Sequence, residues 1–468
     1  MTAVRPASGI EFPLTVPVLV IGAGACGLTA ALAARDAGAD VLVLERDPSP
    51  SGSTAMSSGM IPAAGTQLQA DSGVDDSAAM MAADIQRKAH DENDPDMVDA
   101  ICAASGPTID WLVDRHKVPL KLVEGFLYPG HSVPRMHAPA SRSGADLVAG
   151  LLAAANAAGA DIVTDATVTT LYAGADGRIA GVEMVRPDGS RENIGCDALV
   201  LACSGFGGNA ELVEKFIPEM TTAQYYGHTG NRGDALLWGE ALGAAVKHLG
   251  AYQGHGSLAM PHAILMTWAL MMEGGFQVNA EGRRFSNEHQ GYSEQAMRVI
   301  AQPGGFAWNI YDERLHRLGL DFEDYRDALK AGAIRTAATI DELAIACGLP
   351  QPALAQTLAL THALAARQEQ DAFGRDFTGR PALQAPFYAV KVTGALFHTQ
   401  GGLVVDAEAR VLRPDGSRMP NLLAGGGAAC GISGSGRDGY LSGNGLLAAT
   451  VLGAKAGASA ARIAMQGG

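Results

Sequence analysis

The sequence predicts an α/β fold in which a Rossmann-like domain with a β-meander is interrupted by a smaller α+β domain. An apolar run breaks into Gly22, Gly24 and Gly27, apolar strands alternate with helical segments, and the composition changes after about residue 251. The 468 residues exceed what one hydrophobic core usually fills, so two domains are expected. We assign residues 1–250 and 385–468 to the Rossmann-like domain and residues 251–384 to the interrupting one.

The first strand, turn and helix match a dinucleotide-binding fingerprint. Gly22 permits the tight turn, Gly24 lets the backbone approach a pyrophosphate, and Gly27 lets the helix lie close to the strand. A second apolar strand ends at Glu45, at about the 20-residue spacing expected of an acid that binds ribose hydroxyls. A glycine triplet alone is weak evidence, but the strands, helix and acid in register predict dinucleotide binding.

Several later segments are expected either to extend the same domain or to meet the same cofactor. Residues 51–60 are a hydroxyl-rich run suited to lie against a planar ring, and residues 161–164, 168–172 and 179–185 are three strands of an inserted β-meander. Residues 197–208 are a buried strand that ends in glycines, and residues 421–427 are another strand that runs into glycine. Residues 442–452 begin a glycine-rich helix.

Composition limits the classes of partner. The chain is 47% hydrophobic and 18% charged, and no apolar run approaches the roughly 18 residues that cross a membrane. Without a charged-then-apolar leader, a cytoplasmic enzyme is expected. The net charge of −15 argues against nucleic acid or an anionic membrane as partner. The six cysteines show no CxxC spacing and the histidines no metal-ligand spacing, so buried thiols and no metal are expected.

FAD fits the pattern better than a nicotinamide cofactor does. Nothing after Glu45 resembles a nicotinamide half with its own catalytic acid or base, whereas several later segments would surround one cofactor. The predicted FAD-binding residues are Gly22, Gly24, Ala25, Cys26, Gly27, Glu45, Arg46, Ser53, Thr54, Ser58, Gly59, Met60, Val168, Ser204, Gly205, Asp234, Gly426, Gly445, Leu446 and Leu447.

Throughout its length the chain resembles the soluble flavoproteins of the succinate dehydrogenase/fumarate reductase family. Besides the glycine motif, the matching segments are residues 53–60, 204–207, 229–234, 278–288, 397–402 and 421–426. The resemblance implies an FAD domain split by a mobile capping domain, with substrate between the two. Members that attach FAD covalently carry a histidine in the segment after the second strand. This chain has Ser53 and Thr54 there, which implies non-covalent FAD.

Two departures from the family pattern concern the substrate. Dicarboxylate reductases of the family place arginines where this chain has Tyr292, four residues after Glu288, and Tyr440. Bidentate arginine neutralises and orients a carboxylate, so fumarate and succinate become poor candidates. The pattern resembles the ketosteroid dehydrogenase branch, since residues 439–443 are similar to a Gly-Tyr-x-Ser-Gly signature of its Δ4-dehydrogenases.

This resemblance implies desaturation α,β to the ketone of a cyclic substrate, either a ketosteroid or a smaller oxocyclohexane-type ring. Tyr440, with the backbone N–H of Gly445, would donate to the carbonyl oxygen. Tyr292, alone or through Ser442, would take the α proton, which requires surroundings that activate a phenol of ordinary pKa near 10. FAD would accept the β hydride, and an external electron acceptor would reoxidise it.

Several alternatives stay open from the sequence. The same residues run backwards would make a flavin-dependent ene reductase of the fumarate reductase type, and a flavin-binding sensor is a third reading. His398 matches a substrate-binding histidine of the dicarboxylate enzymes, and it is a catalytic candidate. Arg437 is either a substrate contact or a solvated loop charge. Tyr128 is read as loop surface rather than pocket lining, and His255 and Trp268 as core or pocket wall. The substrate ring, the direction and the oligomeric state are not specified.

Overall fold

A computed structural model of the chain describes residues 3–467. Its strands are β1 (Ala3–Pro6), β2 (Leu14–Ile21), β3 (Val41–Leu44), β4 (Ile61–Pro62), β5 (Lys121–Leu122), β6 (Met136–Ala138), β7 (Asp161–Val163), β8 (Thr167–Ala173), β9 (Ile179–Val185), β10 (Arg191–Leu201), β11 (Gln224–Tyr225), β12 (Val246–Lys247), β13 (Tyr252–Ala259), β14 (Ile264–Leu265), β15 (Phe276–Val278), β16 (Phe306–Asp312), β17 (Ile334–Ala337), β18 (Phe387–Thr399), β19 (Gly402–Leu403), β20 (Arg410–Leu412) and β21 (Arg418–Ala424). Its helices are α1 (Ala25–Asp36), α2 (Gly52–Ala55), α3 (Gln67–Asp71), α4 (Ala78–Lys88), α5 (Pro95–Asp110), α6 (Gly144–Ala157), α7 (Ala210–Phe216), α8 (Asp234–Ala241), α9 (Ala269–Met272), α10 (Tyr292–Ile300), α11 (Glu313–Gly319), α12 (Glu323–Lys330), α13 (Ile340–Cys347), α14 (Gln351–Arg367) and α15 (Asn444–Gly467).

The larger sheet is built around parallel strands, which confirms the predicted α/β class. Strands β7, β3, β2, β10 and β21 lie side by side and parallel. Val18, Leu19 and Val20 of β2 are completely buried, as continuous apolar runs are when a parallel sheet is covered. Helix α1 packs against α6 and α15. The glycine turn between β2 and α1 therefore lies at the carboxyl edge of this sheet.

A β-meander is attached to this sheet, but it contains different strands from those predicted. Strands β8, β9 and the first half of β10 are antiparallel neighbours. The segment at 161–164 was wrongly included, since β7 pairs parallel with β3 on the far side of the sheet. Strand β7 follows helix α6, and a helical crossover is what a parallel strand requires.

A second, mainly antiparallel sheet carries the apolar core of the middle of the chain. Strands β13, β18 and β16 form its centre, and β14 and β15 extend it. Large buried side chains such as Trp268, Phe276 and Tyr311 pack on it. Strands β11 and β18 belong to this sheet although they lie outside residues 251–384. The domain limits 251 and 384 stay a prediction.

Helix α15 contradicts the expectation that no apolar run is long enough to cross a membrane. Its stretch Asn444–Gln466 has the length and hydropathy of a membrane span, with a mean hydropathy of 1.2, and 67% of the apolar window is buried in the fold. Two glycines bring it against α1: a Cβ at Gly453 would stand 2.5 Å from Cys26 O, and one at Gly457 would stand 2.0 Å from Ala30 O. The apolar character of this helix is therefore used in the core of the larger sheet.

Candidate active site

Two adjoining cavities lie at the carboxyl edge of the larger sheet. The first, of about 120 Å³, is lined by the glycine motif and is called the glycine cavity. The second, of about 190 Å³, is called the aromatic cavity and is lined by Tyr128, Tyr226, Trp268, Tyr292, Phe397 and Tyr440 among others. The two share wall residues, which are Ser53, Thr54, Ser204, Gly426, Gly427 and Ala449. A ligand that fills the first can therefore reach the second.

The glycine motif shapes an open helix end at the first cavity. Gly22 has a φ of 102°, and a Cβ there would stand 2.6 Å from Ala202 O. Helix α1 begins after Gly24 without a side-chain cap, and Ala25 N donates to Thr54 Oγ1 at 3.1 Å. Uncapped N–H groups at the start of a helix suit a phosphate. This end of the cavity fits a pyrophosphate.

Polar side chains continue from this helix end along the glycine cavity. Glu45 accepts hydrogen bonds from Ala23 N at 2.8 Å and from Asp47 N at 3.1 Å, so its carboxylate is fixed at the cavity wall. Arg46 pairs with Asp234 at 3.1 Å between Nη2 and Oδ2. Fixed acceptors beside a phosphate site suit the ribose and adenine half of FAD.

Sixteen of the predicted FAD-binding residues line one or both cavities. In the glycine cavity these are Gly22, Gly24, Ala25, Cys26, Glu45, Arg46, Val168 and Asp234, in both cavities Ser53, Thr54, Ser204 and Gly426, and in the aromatic cavity Ser58, Met60, Gly445 and Leu446. Gly27, Gly59, Gly205 and Leu447 lie behind these walls. A Cβ at Gly27 would stand 1.8 Å from Gly22 O, and one at Gly205 would stand 2.0 Å from Thr399 Oγ1. These glycines act through close packing rather than through exposure to a ligand.

All four predicted catalytic residues line the aromatic cavity. Tyr292 begins α10, and its ring centroid lies 6.1 Å from that of Tyr440. Ser442 lines the cavity with Tyr292, and its hydroxyl partly opposes the rise in the Tyr292 pKa. At the start of α15, the N–H of Gly445 lies 3.5 Å from the Tyr440 oxygen. The structure thus brings together one tyrosine from α10, which packs on the second sheet, and one from the loop before α15.

The surroundings of these tyrosines do not activate either phenol as a base. Burial raises the pKa of Tyr440 to about 12. Burial, together with repulsion from Tyr440, also raises the pKa of Tyr292 well above its ordinary value. The activation expected for Tyr292 is therefore not seen, because desolvation disfavours the phenolate. Both side chains carry their protons near neutral pH.

His398 is held in one orientation by a chain of polar side chains. Gln400 Nε2 donates to His398 Nδ1 at 2.9 Å, Ser433 Oγ donates to Gln400 Oε1 at 2.7 Å, and Asn444 Nδ2 donates to Ser433 Oγ at 3.1 Å. Burial lowers the pKa of His398 to about 4, so the imidazole is neutral. Its Nε2 carries the proton and lies over the start of α15, where a Cβ at Gly445 would stand 2.7 Å away.

An aromatic stack forms the wall opposite the last helix. The His255 ring lies 4.7 Å from Tyr292 and 5.0 Å from Phe397, nearly parallel to both, and Trp268 meets it edge-on at 5.8 Å. Burial lowers the pKa of His255 to about 3. Gln253 of the same strand also lines the cavity, and this i, i+2 spacing is the sequence signal for a shared face. His255 and Trp268 are thus pocket wall, one of the two roles expected.

The loop over residues 128–137 also contributes to the site, contrary to the surface role expected for Tyr128. Tyr128 lines the aromatic cavity, and burial raises its pKa to about 12. His131 Nε2 lies 2.9 Å from Ser442 O, a contact that the sequence did not suggest. The loop is anchored by Arg135, which is fully buried and paired with Asp76 at 3.0 Å and Asp84 at 2.9 Å.

The lining of the aromatic cavity carries no formal charge. Among the described residues that line it, none is Asp, Glu, Lys or Arg. Arg437 is not among them: its side chain is 52% exposed and lies 3.4 Å from Asp438. Within residues 3–467 no group of three or more His, Cys, Asp or Glu side chains is placed to hold a metal ion.

Comparison with known proteins agrees with this geometry. A family model described as "FAD binding domain" matches residues 17–446. NADH:fumarate oxidoreductase of Klebsiella pneumoniae is 28% identical over 453 residues, which cover 96% of this chain and 48% of that protein, so the chain spans about half of its length. The 4-oxocyclohex-2-ene-1-carboxylate 5-dehydrogenase of Sinomonas cyclohexanicum is 30% identical over 307 residues, 57% of this chain and 51% of that one.

A solved structure matches over almost the whole chain. It is the 3-ketosteroid-Δ4-(5α)-dehydrogenase of Rhodococcus jostii RHA1 in complex with 4-androstene-3,17-dione, with a TM-score of 0.77 and 26% identity. The match covers 98% of this chain and 100% of that one. The chain therefore belongs to the FAD-binding flavoprotein family that includes fumarate reductases and ketosteroid dehydrogenases, and it is an FAD-dependent oxidoreductase.

Proposed function

We propose that this protein is a dehydrogenase of the class that acts on CH–CH groups, introducing a C=C bond α,β to the ketone of a cyclic substrate. The observation that carries the proposal is the aromatic cavity, where Tyr292 and Tyr440 meet in an uncharged lining beside the glycine cavity. Relatives named as 3-ketosteroid and 4-oxocyclohexene-carboxylate dehydrogenases support a cyclic ketone.

The residues fit FAD bound without a covalent link. The start of α1 would hold the pyrophosphate, Glu45 the ribose, and the shared wall with Ser53 and Thr54 the flavin ring. When bound, FAD supplies the acceptor for the β hydride. His228 does lie against the glycine cavity, but its Nε2 pairs with Asp47 at 2.8 Å.

Hydrogen-bond donors gather at the start of α15, where a ketone oxygen would bind, and the Gly445 N–H donates to the Tyr440 oxygen at 3.5 Å, which strengthens that hydroxyl as a donor. The Tyr440 hydroxyl and the Gly445 N–H lie together at the start of α15, and the protonated Nε2 of His398 lies beside them. Donors fixed before substrate arrives stabilise an enolate oxygen without reorganising. The positive end of α15 acts in the same direction. We assign Tyr440 the main role because its hydroxyl lines the cavity.

Tyr292 would take the α proton, with the Ser442 hydroxyl in the same cavity lining. Only the phenolate can accept this proton, and its fraction falls tenfold for every pH unit below the pKa. The raised pKa of Tyr292 therefore limits desaturation at neutral pH. An external electron acceptor of a class still to be determined would complete the cycle.

A second candidate is the reverse reaction, reduction of an activated alkene by reduced flavin. The raised pKa of Tyr292 favours it, because a protonated phenol can donate a proton to the α carbon. A separate electron donor would then be needed.

Anaerobic mixing of the purified flavoprotein with cyclic ketones and with succinate separates these functions. Bleaching of the flavin absorption by a ketone alone supports the dehydrogenase. Reoxidation of pre-reduced flavin by a cyclic enone, without bleaching by any saturated ketone, supports the reductase. Bleaching by succinate would contradict the cyclic-ketone dehydrogenase and favour a reductase of the fumarate reductase type, against the absence of a cation in the cavity lining.

A further inference from the structure

We propose that the substrate of this site is an uncharged ketone of a single ring, rather than a steroid or a ring carboxylate. The inference rests on the proposed function and specifies its substrate class. It is argued from the size of the aromatic cavity, from the charge of its lining, and from the side chains that close it.

The aromatic cavity has to hold part of the flavin ring as well as the substrate, because predicted FAD-binding residues such as Ser58 and Met60 line it. Its volume is about 190 Å³, and part of its wall, including Ser53 and Gly426, is shared with the glycine cavity. An apolar cavity of about 150 Å³ holds one benzene ring, whereas pockets for drug-sized ligands begin at about 300 Å³. A four-ring steroid would need the walls to move apart.

The lining stays neutral over the ordinary pH range. The two histidines in it have lowered pKa values, about 3 for His255 and about 4 for His398, because both are buried. Burial raises the pKa of Tyr128 and Tyr440 to about 12. A carboxylate placed here would lose its water and gain no cation, which is costly.

Cations on the surrounding elements are committed to other partners. Lys88 is ion-paired with Glu294, and both side chains are largely buried. Arg142, which influences the pKa of Tyr128 from behind the wall, contacts Asp321 at 3.4 Å and lies 4.9 Å from the Phe322 ring. Turning Arg142 toward a substrate carboxylate would break these contacts.

Tyr128 is the side chain that closes the cavity beyond the catalytic pair. Its ring meets Tyr292 edge-on at 6.5 Å, and Phe126 packs behind it at 5.0 Å. Thr267, between β14 and α9, lines the cavity with it. A second fused ring would have to pass this phenol. We therefore assign Tyr128 the role of limiting substrate length.

The test compares ketones of matched shape on the anaerobic holoenzyme. 4-Methylcyclohexanone and 4-oxocyclohexanecarboxylate differ mainly in charge, and 2-decalone and the saturated steroid 5α-androstane-3,17-dione add rings. We expect 4-methylcyclohexanone to reduce the flavin with an efficiency about 100-fold above the carboxylate, and the steroid to give no bleaching. Tyr128→Ala should raise the efficiency with 2-decalone relative to that with cyclohexanone by at least about tenfold, whereas Tyr226→Ala, a wall change elsewhere in the cavity, should leave this ratio unchanged.

The outcomes separate this proposal from the function on which it rests. Equal or faster bleaching by the carboxylate or by the steroid would overturn the substrate class and leave the dehydrogenase intact. If no saturated ketone bleaches the flavin, the dehydrogenase fails, and the matching enones are tested as oxidants of pre-reduced flavin. A preference there for 2-cyclohexenone over its 4-carboxylate supports the substrate class, and the opposite preference overturns it.

Discussion

At the scale of single residues, the start of α15 concentrates the hydrogen-bond donors of the site. Gly445 has no Cβ, and a Cβ there would stand 2.6 Å from His398 Cε1 and 3.6 Å from the Tyr440 oxygen. Glycine at this position therefore lets an imidazole and a phenol approach the backbone N–H together. That arrangement requires no charged side chain, which is consistent with a ketone as the group that is bound.

Tyr440→Phe removes the main donor and leaves the other cavity walls in place. We expect the rate of flavin reduction by substrate to fall about 10²- to 10³-fold, as it does when one oxyanion donor is lost. The absorption spectrum of the bound flavin should not change. Tyr226→Phe is the matched control, since Tyr226 lines the same cavity but packs against Phe397, with 4.9 Å between the ring centroids. An unchanged rate for Tyr440→Phe would remove this side chain from the mechanism.

The raised pKa of Tyr292 gives the two candidate reactions opposite pH profiles. If the phenolate is the base, the rate of flavin reduction by ketone rises about tenfold per pH unit and is still rising at pH 9. If the phenol is the acid, alkene reduction is flat across that range, since Tyr292 stays protonated. Rapid-mixing measurements from pH 6 to about pH 9 distinguish them. A bell-shaped profile centred near pH 7 would contradict both roles for Tyr292.

At the scale of elements, local sequence signals predicted the parts of the fold that local interactions determine. The β2–turn–α1 unit follows from Gly22 and Gly27, which close contacts within the unit require. Strand β18 belongs to the second sheet through pairing with β13 and β16, segments far away in sequence. The same holds for the site: Tyr292 and Tyr440 were found from motifs, whereas Tyr128 faces the cavity only because the Arg135 ion pairs anchor its loop.

The contact between α4 and α10 holds Tyr292 against the cofactor-binding side. Lys88 pairs with Glu294 and also donates to Gln290 O at 3.0 Å. Burial raises the pKa of Glu294, so this carboxylate depends on Lys88 to stay charged. We expect Lys88→Met to lower the free energy of unfolding by about 3 kcal/mol, the usual cost of leaving a buried charge unpaired. Urea unfolding of the holoprotein measures it.

The double variant Lys88→Met/Glu294→Leu should recover most of that loss, because no unpaired charge remains. The control is Arg317→Met, which breaks the Arg317–Glu313 pair at the surface, where the Arg317 side chain is 75% exposed. It should cost less than about 1 kcal/mol. If Lys88→Met also lowered the free energy of unfolding by less than about 1 kcal/mol, the Lys88–Glu294 pair would not be what holds the α4–α10 contact.

At the scale of the whole molecule, the two sheets meet at the cavities that would hold FAD and substrate. The shared wall takes Ser204 and Gly426 from the loops that follow β10 and β21 of the larger sheet. His398 of β18 in the second sheet and Tyr292 of α10, which packs on that sheet, line the aromatic cavity beside this wall. The flavin would thus contact elements from both sheets. Its binding should stabilise the fold as a unit rather than one sheet alone.

Removal of the cofactor tests this arrangement and the mode of attachment together. Acid precipitation should release all of the flavin into the supernatant, because Ser53 and Thr54 stand where a covalent attachment histidine is expected. The apoprotein should unfold at a lower urea concentration, and free FAD at about 100 times its Kd should restore about 2.7 kcal/mol. Riboflavin should restore less, since it offers no pyrophosphate to the open start of α1. Yellow colour retained in the pellet would contradict non-covalent binding, and would direct attention to His228, which lies against the glycine cavity.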